Sequence, residues 1–187
     1  MRVNSDLNMV ILGISGKRGV GKTLLASHLV RTCGFTKVSF AEDLKKMAKN
    51  IFPFSDADLS TPSLKERKFK TYDWSPRDFL INLGEFVRYH DPEYFLRQAL
   101  AKCENKDGFY VFDDMRYENE YNVIKNIGGK VIRVNRDEKQ NPYGKNLDTI
   151  SETALDKFEF DYVIEKFRNN TPKELTNHTE SILSMWE

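Results

Sequence analysis

Cysteine, net charge and long apolar runs are all scarce in this chain, and each scarcity excludes something. Only two cysteines, Cys33 and Cys103, occur in 187 residues, and neither shares metal-ligand spacing with His28, His90 or His178. A disulfide framework and a zinc site are therefore not expected, and the cytoplasm is the expected location. Lys plus Arg (29) against Asp plus Glu (28) leaves a net charge of +1. That lacks the basic excess of a protein that coats nucleic acid, so no nucleic-acid partner is expected. The longest apolar run near the start, Met9 to Ile14, is too short for a membrane span or a signal sequence, which argues against membrane attachment and export. Repeats, low-complexity tracts and Gly/Ser linkers are also missing. The remaining composition is that of a folded protein. Apolar residues make up 40% and aromatics 12%, and a chain of this length buries on the order of 70% of its unfolded surface without a staple.

The hydrophobic pattern alternates strand with helix. Met9 to Ile14 reads as a strand covered on both faces, and Thr23 to Cys33 as a helix with Leu24, Leu25, Leu29 and Val30 as its apolar residues. Lys37 to Phe40 is a second short strand and Leu44 to Phe52 a second helix. Pro53 to Trp74 is the least regular stretch and carries a basic segment, Lys65 to Lys70. Helices are expected over Pro76 to Tyr89 and Pro92 to Cys103, each with proline in its first turn, where a missing N–H costs nothing. Phe109 to Phe112, Lys130 to Val134 and Tyr162 to Ile164 read as strands, with helices over Glu118 to Ile127 and Pro172 to Met185. This alternation predicts an α/β fold, a five-stranded and mostly parallel sheet flanked by helices in three layers, with ligands at the carboxyl ends of the strands.

The most specific local signal is Gly16-Lys17-Arg18-Gly19-Val20-Gly21-Lys22-Thr23, which fills the pattern G-x-x-x-x-G-K-[ST]. Glycines at this spacing let the backbone curl so that several N–H groups point inward, and the following helix adds its positive end. Lys22 then reaches the β- and γ-phosphates of a nucleoside triphosphate, expected to be ATP, and the Thr23 hydroxyl joins a Mg²⁺ shell. The strand before the loop and the amphipathic helix after it supply the context that the pattern requires.

Downstream, Phe109 to Phe112 ends in two carboxylates, Asp113 and Asp114. An acid at such a strand tip holds Mg²⁺ or its water, a role expected of Asp113. Arg116, two residues past Asp114, is placed to neutralise charge on a transferring phosphoryl group. Glu120 falls on the first turn of the next helix, able to fix Arg116 or touch an acceptor. Arg77 and Arg88 are about three helical turns apart, so one helix can present both to a phosphomonoester. Gly84 between them costs about 1 kcal/mol in a helix interior, which suggests a close approach by a ligand or backbone.

Several of these runs together resemble the bacteriophage-type deoxynucleoside monophosphate kinases. They are Val38 to Lys45, Ser75-Pro76-Arg77 with Leu83-Gly84 and Arg88, and Asp114-Met-Arg116-Tyr-Glu-Asn119-Glu120, followed by Gly128 to Arg136 and Asp161 to Ile164. The resemblance runs from about residue 9 to residue 185. It implies a P-loop fold of the nucleoside monophosphate kinase type and the reaction ATP + dNMP → ADP + dNDP with Mg²⁺. It places Lys22, Asp114, Arg116 and Glu120 at catalytic positions, and Lys45, Arg77, Gly84 and Arg88 at the acceptor site. Thr149, in Thr149-Ile-Ser151-Glu152, stands where the family shows a histidine, and Glu85 where a small polar residue is common. The expected organisation is one domain over 1–187, with 53–104 as a helical insertion that binds the acceptor and closes as a lid. A homodimer is compatible with the sequence. Related kinases acting on dephospho-coenzyme A or phosphomevalonate, and a nucleotide-dependent switch or ATPase, are the alternatives. The switch lacks support because Lys145-Asn146-Leu147-Asp148 reverses the first two residues of a guanine-reading motif.

Overall fold

The computed structural model describes residues 9–103, 107–136, 150–165, 167 and 172–187. Its strands are β1 (Val10–Ser15), β2 (Thr36–Val38), β3 (Phe109–Phe112), β4 (Lys130–Val134) and β5 (Tyr162–Ile164). They pair in the order β2-β3-β1-β4-β5, and every pairing is parallel. The helices in chain order are α1 (Lys22–Cys33), α2 (Glu42–Ile51), α3 (Asp56–Ser60), α4 (Pro62–Lys65), α5 (Pro76–His90), α6 (Tyr94–Leu100), α7 (Glu118–Asn126), α8 (Ile150–Thr153) and α9 (Pro172–Leu183). None of them is long and apolar enough to cross a membrane. The chain divides into two compact units, Met1–Ser39 with Lys102–Glu187, and Phe40–Ala101.

The first unit is the parallel α/β sheet with its helices. All of β1 is buried, as a central strand covered on both faces must be. Val10, Leu12 and Ile14 pack with Leu25, Ala26 and Leu29 of α1, with Val111 and Ile132, and with Ile182 of α9. Gly13 keeps the other face of β1 thin. A Cβ there would stand 2.8 Å from Ile124 Cδ1 and 2.9 Å from Met115 Sδ. Because β3 and β4 flank β1 on opposite sides, the sheet has its topological switch at β1, and the loops after these strands emerge at one edge.

The second unit has a core of its own. Leu44, Ala48, Phe54, Leu59, Leu80 and Phe95 are buried together, with Phe52, Phe69, Trp74 and Phe79 packed against them. The rings meet edge to face, Phe52 with Trp74 and Phe79 at 5.0 Å each, while Tyr72 stacks on Trp74 at 5.0 Å. The stretch Pro53 to Trp74, irregular by its pattern, thus supplies two short helices and much of this core. Its aromatics are spaced by contact, without helical period, so periodicity does not reveal them. Two capping boxes fix the chain's entries. Ser55 and Asp58 start α3, and Ser75 and Asp78 start α5 ahead of Pro76. The helix expected over Pro92 to Cys103 is shorter, because the Tyr94 N–H donates to Asp91 O at 3.2 Å and keeps Pro92 in a turn. Strand β2 stops at Val38, where Ser39 turns toward Asp114 and the second unit begins at Phe40. Helix α8, a single turn, is too short to leave a periodic trace.

Truncating a ring at the centre of the second unit tests its independence as a core. Phe54→Ala is expected to cost about 3–5 kcal/mol by the usual large-to-small penalty. Chemical denaturation measures it, and a loss below about 1 kcal/mol would show that the ring is not structurally committed.

Candidate functional site

Three glycines shape the loop that leaves β1. Gly16, Gly19 and Gly21 have φ of 145°, 79° and 108°, values that suit glycine and strain other residues. At Gly16 the constraint is also steric, since a Cβ would lie 2.3 Å from the carbonyl oxygen of Val134 in β4. The loop can therefore close on itself. The buried Lys22 ammonium, at the start of α1, donates to Gly16 O at 2.6 Å and to Lys17 O at 2.9 Å. Val20 is buried in the core, so the loop is anchored from below, and the Arg136 guanidinium donates to Gly19 O at 3.2 Å. Thr23 follows on the first turn of α1 and is exposed.

The Lys22 pKa is lowered from 10.5 to about 7, first by burial and then by the positive charge of Arg116. Glu152, Asp113 and Asp114 act in the opposite sense. These groups therefore share one electrostatic neighbourhood, although they come from three segments of the chain. Asp113 is buried at the tip of β3 and pairs with Lys37 of β2 at 2.7 Å. Asp114 accepts the Ser39 hydroxyl at 2.5 Å. Arg116 pairs with Glu152 and also donates to Ser151 O at 3.1 Å. Glu120 is buried, and its carboxylate accepts the backbone N–H groups of Arg116 at 2.7 Å and Tyr117 at 3.1 Å. It thereby caps α7 and fixes the backbone that carries Arg116.

Lys45, Arg77, Gly84 and Arg88 all fall in the second unit. Lys45 lies half-buried on α2. Arg77, on the first turn of α5, pairs with Glu66. Arg88 lies with its guanidinium carbon 4.9 Å from the centroid of the Phe95 ring. The same helix explains Gly84: a Cβ there would stand 2.9 Å from Arg88 Nη1 and 3.3 Å from Leu44 Cδ2. The close approach that the glycine permits is that of Arg88 itself, one turn along, and of α2. Two carboxylates and a ring thus hold the three arginines, each within its own unit.

Glu152 is the site residue that sequence reasoning passed over. Its only trace was the Ser151-Glu152 pair within a family pattern read for its missing histidine. Thr149 and the Lys145 to Asp148 run lie outside the described residues. Among the described residues, no group of three or more His, Cys, Asp or Glu side chains could hold a metal ion. The donors at the loop and the β3 tip are a threonine hydroxyl and aspartate carboxylates, hard oxygens of the kind Mg²⁺ takes one or two at a time beside substrate phosphates.

Comparison with known proteins finds a relative by sequence. A protein of Acanthamoeba polyphaga mimivirus, provisionally named a deoxynucleotide monophosphate kinase, is 34% identical over 146 residues, which is 68% of this chain and 75% of the relative. No protein-family model matches. Among solved structures, a shikimate kinase of Acinetobacter baumannii in complex with shikimate is 13% identical, with a TM-score of 0.48 over 97% of this chain and 96% of that one. A gluconokinase of Sinorhizobium meliloti is 14% identical, with a TM-score of 0.45 over 99% and 94%.

The buried ammonium has a pH signature. Because the Lys22 pKa is lower in the fold than in the unfolded chain, the fold carries a penalty below about pH 7, and this lifts as pH rises toward 10.5. Lys22→Met should therefore stabilise the protein most at acidic pH, with the advantage shrinking as pH rises. Denaturation midpoints of both proteins between about pH 6 and 10 test this, and a constant difference would contradict it.

Proposed function

The chain belongs to the deoxynucleotide monophosphate kinase family, and on that premise we propose that it transfers the γ-phosphoryl group of ATP to a deoxynucleoside monophosphate, with Mg²⁺ as companion ion. An oxygen of the acceptor's phosphate attacks the γ-phosphorus and forms a new P–O bond. The bond from that phosphorus to the bridging oxygen breaks, and ADP leaves with the electron pair. Such a transfer needs little covalent help, so catalysis is positioning plus neutralisation of charge.

The observation that carries the reading is the meeting of Lys22, Arg116 and the β3 carboxylates in one electrostatic neighbourhood, beside a loop whose glycines have the backbone angles a phosphate cradle needs. When ATP enters, the loop amides of Gly16 to Thr23 receive its phosphates. Lys22 exchanges the carbonyls of Gly16 and Lys17 for phosphate oxygens, and the gained anion restores its full positive charge. Arg116, held in place through Glu120, meets the moving phosphoryl. Thr23 and Asp113 would hold Mg²⁺, whose contribution is to shield the charge between the β- and γ-phosphates.

The second unit takes the acceptor. Arg77 and Arg88, with Lys45, bind its phosphate, and their present partners suit that task. A dianionic phosphate offers a guanidinium fork a stronger match than one exposed carboxylate or a ring face. Gly84 serves the acceptor indirectly by leaving room for Arg88. The irregular stretch with the basic segment Lys65 to Lys70 brings Glu66 to Arg77, so this part of the chain responds when Arg77 changes partner.

A coupled assay for ADP with each of the four deoxynucleoside monophosphates tests the reading. ADP should form only with an acceptor present, and no rate above an enzyme-free control would overturn it. Arg116→Ala should lower kcat by about tenfold or more if its charge meets the phosphoryl group, whereas an unchanged rate would remove that role.

A further inference from the structure

One buried carboxylate of the first unit has no part in the scheme above. Glu152 stands on the single-turn helix α8, 9% exposed, and divides its two oxygens between two functional elements. Oε2 accepts the backbone N–H of Arg18, in the middle of the phosphate loop, at 2.7 Å. Oε1 accepts the guanidinium of Arg116. The segment behind it is tied down independently. Asp156 accepts from Arg133, whose other amino group donates at 3.3 Å to the hydroxyl of Ser15, the residue just before Gly16. Arg133 also lies over the Phe160 ring at 5.6 Å, and the Tyr121 hydroxyl of α7 donates to Glu159 O at 2.5 Å. The loop is therefore met at its centre by Glu152 and at its entrance by Arg133 of β4, which Asp156 of the same segment holds. A carboxylate buried this deeply is costly unless its partners satisfy it, and both partners here belong to the site.

We propose that Glu152 is a positioning residue, which fixes the Arg18 amide and the Arg116 guanidinium at a set separation so that the phosphate cradle and the arginine act as one piece. This rests on the kinase reading for what Arg116 does, but not for what anchors the loop. The carboxylate is the right group for both contacts. Glutamine keeps one acceptor oxygen for the amide but turns an NH₂ donor toward the guanidinium, so it should spare the loop and release the arginine.

Glu152→Gln and Glu152→Ala, each compared with the unsubstituted chain, separate these effects. Glu152→Gln should keep its ADP affinity, measured by calorimetry, within about threefold while kcat falls about tenfold or more, and Glu152→Ala should lose about tenfold in ADP affinity as well. In an Arg116→Ala background Glu152→Gln should add little, since the same contact is already gone. A purely structural carboxylate would give additive losses there. Additive losses, or a Glu152→Gln enzyme with full kcat, overturn the proposal. If the unsubstituted chain phosphorylates none of the four monophosphates, the kinase reading fails by itself. The ADP affinity of Glu152→Ala then decides the loop anchor: unchanged affinity overturns it, and a loss of about tenfold supports it. Should Glu152→Ala not fold, the affinity of Glu152→Asp, whose shorter carboxylate cannot reach both partners, takes its place with the same two outcomes.

Discussion

An ammonium group removed from water is among the more expensive things a fold can contain, and this fold places one at the start of its first helix. Lys22 is only 8% exposed, and two carbonyls of the preceding loop turn inward to meet it. They can do so because Gly16 adopts a conformation in which any side chain would strike the backbone of β4. The ammonium, the loop and the β1–β4 pairing are thus one constraint, and the rest of the first unit is arranged around it. Acidic groups at the β3 tip and on α8 offset its charge, and Arg116 opposes it.

The arginines follow a second rule. Guanidinium groups stay charged at all physiological pH values, and three of them are matched here by a neighbour. Arg116 is matched by Glu152, Arg77 by Glu66, and Arg88 by the face of Phe95. In the proposed reaction these partners would leave less rotamer freedom to be lost when an anion arrives.

Much of this was legible in the sequence, and the parts that were not share a cause. The strand β1, the loop and α1 could be read because an apolar run, a glycine spacing and a helical period coincide there. Phe109 to Phe112, Lys130 to Val134 and Tyr162 to Ile164 appear as strands with the expected bounds, since short apolar runs between turn signals leave few alternatives. Asp113, Asp114, Arg116 and Glu120 were identified as a set, yet the division of labour among them was not. That Glu152 serves Arg18 and Arg116 depends on which groups the fold brings together across 134 and 36 positions of sequence, whereas Glu120 meets the amides of its own turn. The aromatic core of the second unit was hidden for a similar reason. Phe54, Phe69, Tyr72 and Trp74 lie in a segment without periodicity, where composition signals only a loop. Gly84 reads in the sequence as a close approach by a ligand or backbone, and Arg88 Nη1 and Leu44 Cδ2 stand 2.9 and 3.3 Å from where its Cβ would lie.

In the proposed reaction a phosphoryl group passes directly from a donor at the Lys22 loop to an acceptor nucleotide. Following a radiolabel placed on the γ-phosphate of ATP tests it most directly, with products separated by chromatography after incubation with each deoxynucleoside monophosphate. The label should appear in a deoxynucleoside diphosphate, in step with ADP formation. Label recovered only as inorganic phosphate, at a rate indifferent to the acceptor, would contradict it.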